Sequence, residues 1–224
     1  MGMTLADKYR PKSLDDVCGQ KHVIKALYKI NEVTGLAGQA YWLVGPSASG
    51  KTTIARLIAE KVAVPTTTYE VDAQDVSMDM LRDWEYQCSR ATLFGGYCII
   101  INEAHGLSGK AVSRLQTILE EPGVQKQSTW VFTTTNRGEQ TLFDNKMDAC
   151  PFLSRCISLR FNLDAKTFGM DALRRLKHIA KEENLAWPET PNEAYLELLE
   201  NAGFNMRKAI NTLITGVLCN NDPS

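Results

Sequence analysis

One eight-residue stretch carries the residue types that hold a polyphosphate. Residues 45–52 read Gly-Pro-Ser-Ala-Ser-Gly-Lys-Thr and fit the phosphate-binding pattern G-x-x-x-x-G-K-[ST]. Gly45 and Gly50 let the backbone turn its N–H groups inward around phosphate oxygens. Lys51 supplies a positive charge for the terminal phosphates, and Thr52 supplies a hydroxyl for Mg²⁺. These residues predict a loop that binds a nucleotide through its phosphates.

A strand and a helix flank this loop, and that context is what the motif requires. The apolar run 41–44 precedes the loop, and a helical pattern over 51–62 follows it. The N-terminus of such a helix adds a favourable dipole for a bound anion. A glycine turn that matches the pattern by chance is the competing interpretation, and both flanking elements argue against it.

A second informative stretch is an apolar strand with a polar end. Residues 97–101 form a continuous apolar run, as in a strand buried on both faces, and Asn102 and Glu103 follow it. After a phosphate-binding loop, such a strand end holds Mg²⁺ and orients the attacking water, so Glu103 is the candidate general base. Asn102 keeps an acceptor oxygen but has no negative charge, and we expect it to weaken Mg²⁺ binding. A core strand with a polar end is the alternative.

Other polar positions are weaker signals on their own. Asn136 follows the strand 129–135, although Asn-Arg-Gly is also good turn chemistry. Arg155, just before the last strand, is equally well explained as a surface residue. Lys110 and Arg114 lie one turn apart near the start of a helix, where a solvated face is a simpler explanation than a phosphate contact.

The remaining pattern indicates an α/β domain followed by a helical one. The expected strands are 41–44, 67–72, 97–101, 129–135 and 157–161, and the expected helices are 20–33, 51–62, 78–90, 109–121, 165–184, 192–200 and 205–218. Residues 4–20 are expected to be an irregular arm because Pro11 breaks any helix there, and 137–152 are expected to be irregular. Three closing helices without strands predict two domains, 1–162 and 163–224.

Composition narrows the classes of function. The formal net charge of −1 gives no global basic field, so any contact with DNA has to come from a local patch. The six cysteines include no C-x-x-C pair, which argues against a structural zinc site and favours reduced thiols in a cytoplasmic protein. The chain has no 18-residue apolar run and no signal-peptide pattern, so we expect no membrane partner.

Together, these motifs resemble those of the AAA+ clamp loaders of DNA replication. The resemblance is close to the small subunits of replication factor C and to the bacterial tau/gamma motor subunit, and it covers nearly the whole chain. The matching pieces are 8–11 (Lys-Tyr-Arg-Pro), 16–20, 45–52, 102–105 (Asn-Glu-Ala-His), 107–108, 119–122 (Leu-Glu-Glu-Pro), 134–136, 153–156 (Leu-Ser-Arg-Cys) and 203–213. Ser-Arg-Cys and Glu-Glu-Pro are quite specific to clamp loaders among AAA+ proteins.

The resemblance implies a fold and a set of site residues. The implied fold is α/β, a P-loop AAA+ domain with a five-stranded parallel sheet, followed by a small three-helix lid domain. The implied ATP-binding positions are Tyr9, Arg10, Pro11, Val17, Gly45, Pro46, Ser47, Ala48, Ser49, Gly50, Lys51, Thr52, Thr53, Met206 and Arg207. The implied catalytic residues are Lys51, Glu103, Asn136 (sensor 1), Arg155 (an arginine finger acting in trans) and Arg207 (sensor 2). Thr52 and Asn102 would hold Mg²⁺, and Lys110 and Arg114 become candidates for binding DNA.

The implied function is that of an ATPase motor subunit of a sliding-clamp loader. ATP binding would open the clamp and bind primer–template DNA, and hydrolysis would release both. Its partners would be other clamp-loader subunits, the clamp and DNA, in the cytoplasm or in nuclear replication machinery.

Three features depart from the family pattern. The zinc-binding cysteine cluster of the bacterial subunits is absent, and Asn102 replaces the usual Asp. The chain also ends at Ser224, where family members continue into the helical collar domain that holds their pentamer together, so we expect a weak pentamer or none from this chain alone. Because Asn102 lacks the charge of the usual Asp, we also expect weak ATPase activity in the isolated chain.

Two other functions stay open. An ATP-binding structural or regulatory subunit that hydrolyses poorly is favoured by Asn102, whereas Glu103, Asn136, Arg155 and Arg207 favour a motor. A P-loop enzyme that phosphorylates a small molecule is the other alternative, and Arg155 and the lid pattern argue against it.

Overall fold

The structure is a computed structural model of the chain, and it describes residues 4–90, 95–145, 149–163 and 165–218. In chain order its elements are α1 (Leu5–Lys8), α2 (Lys21–Val33), β1 (Ala40–Val44), α3 (Lys51–Val62), β2 (Ala63–Asp72), α4 (Met78–Cys88), β3 (Gly96–Asn102), α5 (Gly109–Glu120), α6 (Pro122–Gln127), β4 (Ser128–Thr134), α7 (Asn136–Asn145), α8 (Ala149–Leu153), β5 (Ile157–Arg160), α9 (Ala165–Glu182), α10 (Asn192–Asn201) and α11 (Met206–Ile214). Short 3-10 helices lie at Leu14–Asp16, Ala73–Asp75 and Ala104–Gly106.

The chain forms two compact units. The α/β unit comprises described residues within 22–46 and 50–161, and the helical unit comprises those within 4–21, 47–49 and 162–218. The N-terminal arm therefore groups with the C-terminal helices. The sequence-based boundary between 162 and 163 stays a prediction.

Five parallel strands form the sheet of the α/β unit, in the order β2-β3-β4-β1-β5. The predicted five-stranded parallel sheet is confirmed. Strands β1 and β4 are buried along their whole length, as expected for strands that are covered on both faces. Trp42, Trp130, Phe132 and Phe152 pack against one another in its core. Because the strands are parallel, the ends of β1, β3 and β4 meet at one carboxyl edge.

Strand β2 begins earlier than the sequence pattern indicates. It starts at Ala63 rather than at 67, and it includes Pro65. Its pairing with β3 shifts register between Ala63 and Thr68. Proline has no N–H for a ladder and is tolerated at an edge or an irregularity, and β2 is an edge strand of this sheet.

The expectation of an irregular segment at 137–152 is wrong for its described residues, because α7 and α8 lie there, while 146–148 lie outside the described residues. The pattern hides α7 because its buried side chain at 139 is a carboxylate rather than an apolar group. The Trp42 indole N–H donates to Glu139 Oε1 at 2.9 Å, and Arg160 donates to Glu139 Oε2 at 3.0 Å. These long-range partners let a glutamate occupy a buried position on the helix.

The helical unit is built on α9, α10 and α11. Its core includes Leu176, Ile179, Leu199 and Leu213. The expectation of a wholly irregular N-terminal arm is wrong at α1, which Thr4 caps by accepting a bond from the Asp7 N–H. Among the described residues, no helix has the length and hydropathy that a membrane crossing needs.

Candidate nucleotide-binding site

The two loop glycines each meet a backbone requirement. Gly45 follows β1, and its N–H donates to the Thr134 carbonyl at 3.3 Å. A Cβ at Gly45 would lie 2.6 Å from both the Cβ and the carbonyl oxygen of Phe161, so only glycine fits there. Gly50 has φ +95° at the start of α3, in a left-handed conformation that glycine adopts without strain. The motif's glycines therefore set the path of the chain between strand and helix.

Lys51 is a buried cation at the first position of α3. Its side chain is folded back so that Nζ donates to the carbonyls of Gly45 at 2.9 Å and Pro46 at 2.7 Å, and the residue is 6% exposed. Burial lowers the pKa of Lys51, and the charge of Glu103 acts in the opposite direction. In the described part of the chain, no carboxylate lies within salt-bridge distance of this ammonium. A buried, unneutralised ammonium fits an anionic ligand such as a phosphate.

Ser49 adds a second observation that fits a phosphate. It is buried, and its hydroxyl has no hydrogen-bond partner among the described residues. Buried polar atoms are nearly always hydrogen-bonded, so an orphan hydroxyl in a phosphate loop is suited to a ligand oxygen. Ala48, just before it, has φ +61°, which is uncommon outside glycine.

Asn102 ends β3 with both ends of its amide engaged. Its Nδ2 donates to Glu70 Oε1 at 2.9 Å, and its Oδ1 accepts from the Thr133 hydroxyl at 3.1 Å. Arg56 holds the same carboxylate from α3, with Nε and Nη2 at 2.7 and 2.9 Å. Burial raises the pKa of Glu70, but the hydrogen bonds from Arg56 and Asn102 outweigh it and leave the pKa lowered. Sequence reasoning missed Glu70, since nothing local to β2 signals this pairing.

Glu103, the candidate general base, lies just after β3. Its φ of +49° and ψ of +46° are left-handed, an uncommon conformation that clusters at functional sites. Its side chain is 55% exposed, and Oε2 lies 3.5 Å from His105 Nδ1. His105 Nδ1 is also 3.0 Å from the Thr134 hydroxyl. Sequence reasoning included His105 only as the last residue of the matching piece 102–105 and gave it no role, and its spacing of two residues from Glu103 is the signal that was available.

Asn136 lies at the carboxyl edge of the sheet, where the strands end. Arg155 lies at the opposite, amino edge, where the strands begin. Asn136 is exposed at the start of α7, after β4, whose Thr134 pairs with Val44 next to the loop. Arg155 instead lines a cleft of about 250 Å³ with Gln39 and residues at the amino ends of β1 and β4. At about 3.3 Å per residue, the strand between Gln39 and Gly45 separates the two edges by roughly 20 Å. The structure therefore does not bring Arg155 to its own phosphate loop.

The other predicted nucleotide-binding residues belong to the helical unit. They are Tyr9, Arg10, Pro11, Val17, Met206 and Arg207, together with Ser47, Ala48 and Ser49. The Tyr9 hydroxyl donates to Glu183 at 2.6 Å, and its ring meets the His178 ring edge-on at 6.3 Å. Arg207 is exposed in the first turn of α11, which Asn205 caps. Their assignment to an adenine pocket and to sensor 2 stays a prediction.

Thr52 and Asn102 are the residues predicted to bind Mg²⁺, and Lys110 and Arg114 are those predicted to bind DNA. Thr52 and Asn102 offer Mg²⁺ only neutral oxygens, and the described residues contain no cluster of three His, Cys, Asp or Glu that could hold a metal. Lys110 is exposed on α5, whereas Arg114 forms a salt bridge with Glu85 on α4. Arg114 is therefore already neutralised within the chain, and its predicted contact with DNA stays a prediction.

Known proteins resemble this chain over most of its length. It is 27% identical over 218 residues to the replication factor C small subunit of Aeropyrum pernix, covering 94% of this chain and 62% of that protein. It is 30% identical to the replication factor C small subunit of Natronomonas pharaonis, covering 92% of this chain and 60% of that protein. The DNA polymerase III subunit tau of Salmonella typhimurium is 30% identical, covering 81% of this chain and 30% of that protein. The chain thus spans about three-fifths of the replication factor C relatives, and the resemblance to clamp-loader subunits is confirmed.

The fold has a close counterpart among solved structures. A RuvB structure from Thermotoga maritima superposes with a TM-score of 0.68 at 22% identity, covering 92% of this chain and 64% of that one. The model of the ATPase family associated with various cellular activities (AAA) matches residues 41–153, which include β1 from its second residue, the phosphate loop, Glu103 and Asn136. This chain belongs to the AAA family of ATPases.

Proposed function

We propose that this chain is an ATPase motor subunit of a sliding-clamp loader. Its relatives named replication factor C small subunit and DNA polymerase III subunit tau support this assignment. The observation that carries it is the separation of Lys51 and Arg155 on opposite edges of one sheet. A chain that holds a nucleotide at one edge and presents an arginine at the other is suited to a ring or spiral in which each active site is shared.

Within that proposal, the residues of the α/β unit have separate tasks. The loop N–H groups and Lys51 bind the phosphates of ATP, while Thr52 and Asn102 contribute oxygens to Mg²⁺. When bound, Mg²⁺ neutralises charge that develops on the phosphates. Because the Thr52 hydroxyl and the Asn102 amide are both neutral, these two residues would give the ion no negatively charged ligand. Glu103 orients and deprotonates the attacking water, and Asn136 contacts the terminal phosphate.

The remaining roles involve the helical unit and other molecules. Tyr9, Arg10, Pro11 and Val17 line the adenine site, and Arg207 links the lid to the terminal phosphate. Arg155 stabilises the transferred phosphoryl group on a neighbouring subunit. ATP binding then opens the clamp and binds primer–template DNA, with Lys110 and Arg114 as candidates for the backbone contact, and hydrolysis releases both.

Steady-state hydrolysis with partner subunits, clamp and DNA tests this function. We expect primer–template DNA and clamp together to raise ATP turnover, and Glu103→Gln to abolish the increase while ATP binding persists. A turnover rate that ignores DNA and clamp would contradict the assignment.

A second candidate is a subunit that binds ATP and hydrolyses it poorly. The neutral Asn102, with both ends of its amide already hydrogen-bonded, supports this alternative. It predicts tight ATP binding and structural participation in the assembly, with turnover unchanged by Glu103→Gln because this chain contributes none.

A further inference from the structure

The orientation of the Asn102 amide is fixed by its partners. A carboxylate can only accept hydrogen bonds, so the group that meets Glu70 Oε1 at 2.9 Å has to be the amide nitrogen. The oxygen is thereby placed against the Thr133 hydroxyl, 3.1 Å away on the neighbouring strand. Thr133 is buried, so its hydroxyl depends on this acceptor. Reversing the amide would place the Asn102 oxygen against Glu70 Oε1, and two acceptor oxygens cannot form a hydrogen bond.

Glu70 is in turn held from the phosphate-loop helix. Arg56, one turn after Thr52 on α3, donates two hydrogen bonds to its carboxylate. A bidentate guanidinium–carboxylate pair restricts both side chains more strongly than a single contact does. A continuous polar chain therefore runs from α3 through β2 and β3 to β4, and Asn102 is the one link in it that both donates and accepts.

We propose that Glu70 is a positioning residue that makes asparagine, rather than aspartate, the residue that fits at the end of β3. An aspartate at position 102 would set a carboxylate oxygen against Glu70 Oε1 at the distance of the present hydrogen bond. Two like charges that close repel each other, and the Thr133 hydroxyl can compensate only one side of the new carboxylate. Glu70 and Asn102 are thus a matched pair whose negative charge resides on β2, where Arg56 neutralises it.

This inference changes what a reversion of Asn102 should do. If Asn102 were simply a missing charge, Asn102→Asp would improve the Mg²⁺ site by itself. In the matched pair, the same change breaks a hydrogen bond and adds a repulsion, so it improves nothing unless Glu70 is also changed. Glu70→Gln provides that change, because its amide nitrogen can donate to the new carboxylate. The double variant keeps the hydrogen bond between positions 70 and 102 with donor and acceptor exchanged, while Arg56 Nη2 loses the acceptor that Glu70 Oε1 provides and Arg56 Nε keeps its own.

A double-mutant cycle in the nucleotide-free, metal-free chain tests the pairing. We expect Asn102→Asp to raise the unfolding equilibrium constant about tenfold or more at neutral pH, because it sets two carboxylates together. Glu70→Gln also destabilises, since it weakens the Arg56 pair. If the two sites were independent, the factors by which the single changes raise the unfolding equilibrium constant would multiply. We expect the unfolding equilibrium constant of the double variant to be about tenfold lower than that product predicts. Multiplicative effects, or an Asn102→Asp chain as stable as the parent, would overturn the proposal.

Glu85→Gln is the matched control. Glu85 is also paired with an arginine, and its side chain is 26% exposed against 27% for Glu70, but it lies on α4 and does not contact Asn102. Combined with Asn102→Asp, it should give effects that multiply. If it rescues Asn102→Asp as Glu70→Gln does, the rescue reflects net charge and the proposal fails.

A spectroscopic measurement keeps the test decisive if Asn102→Asp does not fold. The side-chain amide resonances of Asn102, assigned by correlation to its backbone, should shift in Glu70→Gln and stay in place in Glu85→Gln. An unmoved Asn102 amide in Glu70→Gln overturns the contact.

The unfolding cycle and the amide resonances need neither ATP nor Mg²⁺. Only the consequence for Mg²⁺ rests on the proposed function, and it is tested separately by the Mg²⁺ dependence of ATP affinity. We expect Asn102→Asp alone not to increase that dependence, and the double variant to increase it. A chain that binds no ATP but shows the coupling would reject the function and keep the pairing.

Discussion

Arg155 is held in its own chain by Glu120. The guanidinium donates from Nε to Glu120 Oε1 at 2.9 Å, and its other nitrogens donate to Glu120 and to the Pro151 carbonyl. Glu120 ends α5 and Arg155 follows α8, so the pair connects two helices next to the amino edge of the sheet. If Arg155 acts in trans as proposed, a phosphate from a neighbouring subunit would have to compete with the Glu120 carboxylate for this arginine.

Arg155→Ala tests the role in trans. Within the assembly we expect turnover to fall about 1000-fold with the chain's own ATP affinity unchanged, because an arginine finger stabilises only the transition state of its neighbour. Mixing Arg155→Ala with Lys51→Met should restore part of the turnover, since one chain supplies the loop and the other the arginine. Arg82→Ala, which removes an exposed arginine paired with Asp79, is the control. A mixture no faster than its components would contradict action in trans.

Lys51→Met should raise the stability of the nucleotide-free chain and remove its ability to bind ATP. The buried ammonium of Lys51 has only carbonyl partners in the described part of the chain, and burial lowers its pKa, so this charge carries a desolvation cost when no nucleotide is bound. When nucleotide is absent, we expect the free energy of unfolding of the variant to be about 1 kcal/mol higher than that of the parent. Added ATP should stabilise the parent and not the variant. Thermal unfolding with and without ATP measures both effects, and a less stable Lys51→Met chain would show that the ammonium's hydrogen bonds outweigh its desolvation.

Gly138→Ala should disturb the His105 contact to Glu103 without removing any polar group. A Cβ at Gly138 would lie 2.4 Å from His105 Nδ1 and 2.7 Å from the Thr134 hydroxyl, so the ring has to move. Overpacking of this kind costs about 1–3 kcal/mol of stability. We also expect slower turnover at saturating ATP with ATP affinity unchanged, because Glu103 loses its neighbour. Gly109→Ala, where a Cβ meets nothing within 4 Å at the start of α5, should leave turnover unchanged and should not lower stability.

The elements nearest the loop were predictable from sequence because their determinants are local. Residues 41–44 and 97–101 are continuous apolar runs, and both became buried strands. The glycine pattern at 45–50 requires a specific backbone, so it carries its own structure. Pairings between strands carry no such local mark. Glu70 lies 32 positions before Asn102 in the chain, and only the parallel register of β2 and β3 brings the two together.

The failed prediction at α7 has the same physical origin. A helix is recognised by apolar residues on one face, but the buried face of α7 includes Glu139, which the sequence presents as a surface residue. Its two partners, Trp42 and Arg160, are distant in sequence and give no signal beside it. A helix prediction based on the periodicity of apolar residues therefore fails where a polar side chain is buried through hydrogen bonds to residues distant in sequence.

Glu139 also gives a sharp test of how the loop's strand is held. Glu139→Ala removes the acceptor of the buried Trp42 N–H and one partner of Arg160, and we expect it to cost about 2 kcal/mol because the indole nitrogen is left unsatisfied. Glu139→Gln keeps an acceptor for Trp42 and should cost less than half as much.

Trp42 lies on β1, three residues before Gly45, so a loosened indole also loosens the strand that leads into the phosphate loop. We therefore expect ATP affinity to weaken in Glu139→Ala and to persist in Glu139→Gln. Denaturant unfolding and ATP titration of both variants decide the matter, and equal stability of the two would show that the indole hydrogen bond contributes nothing.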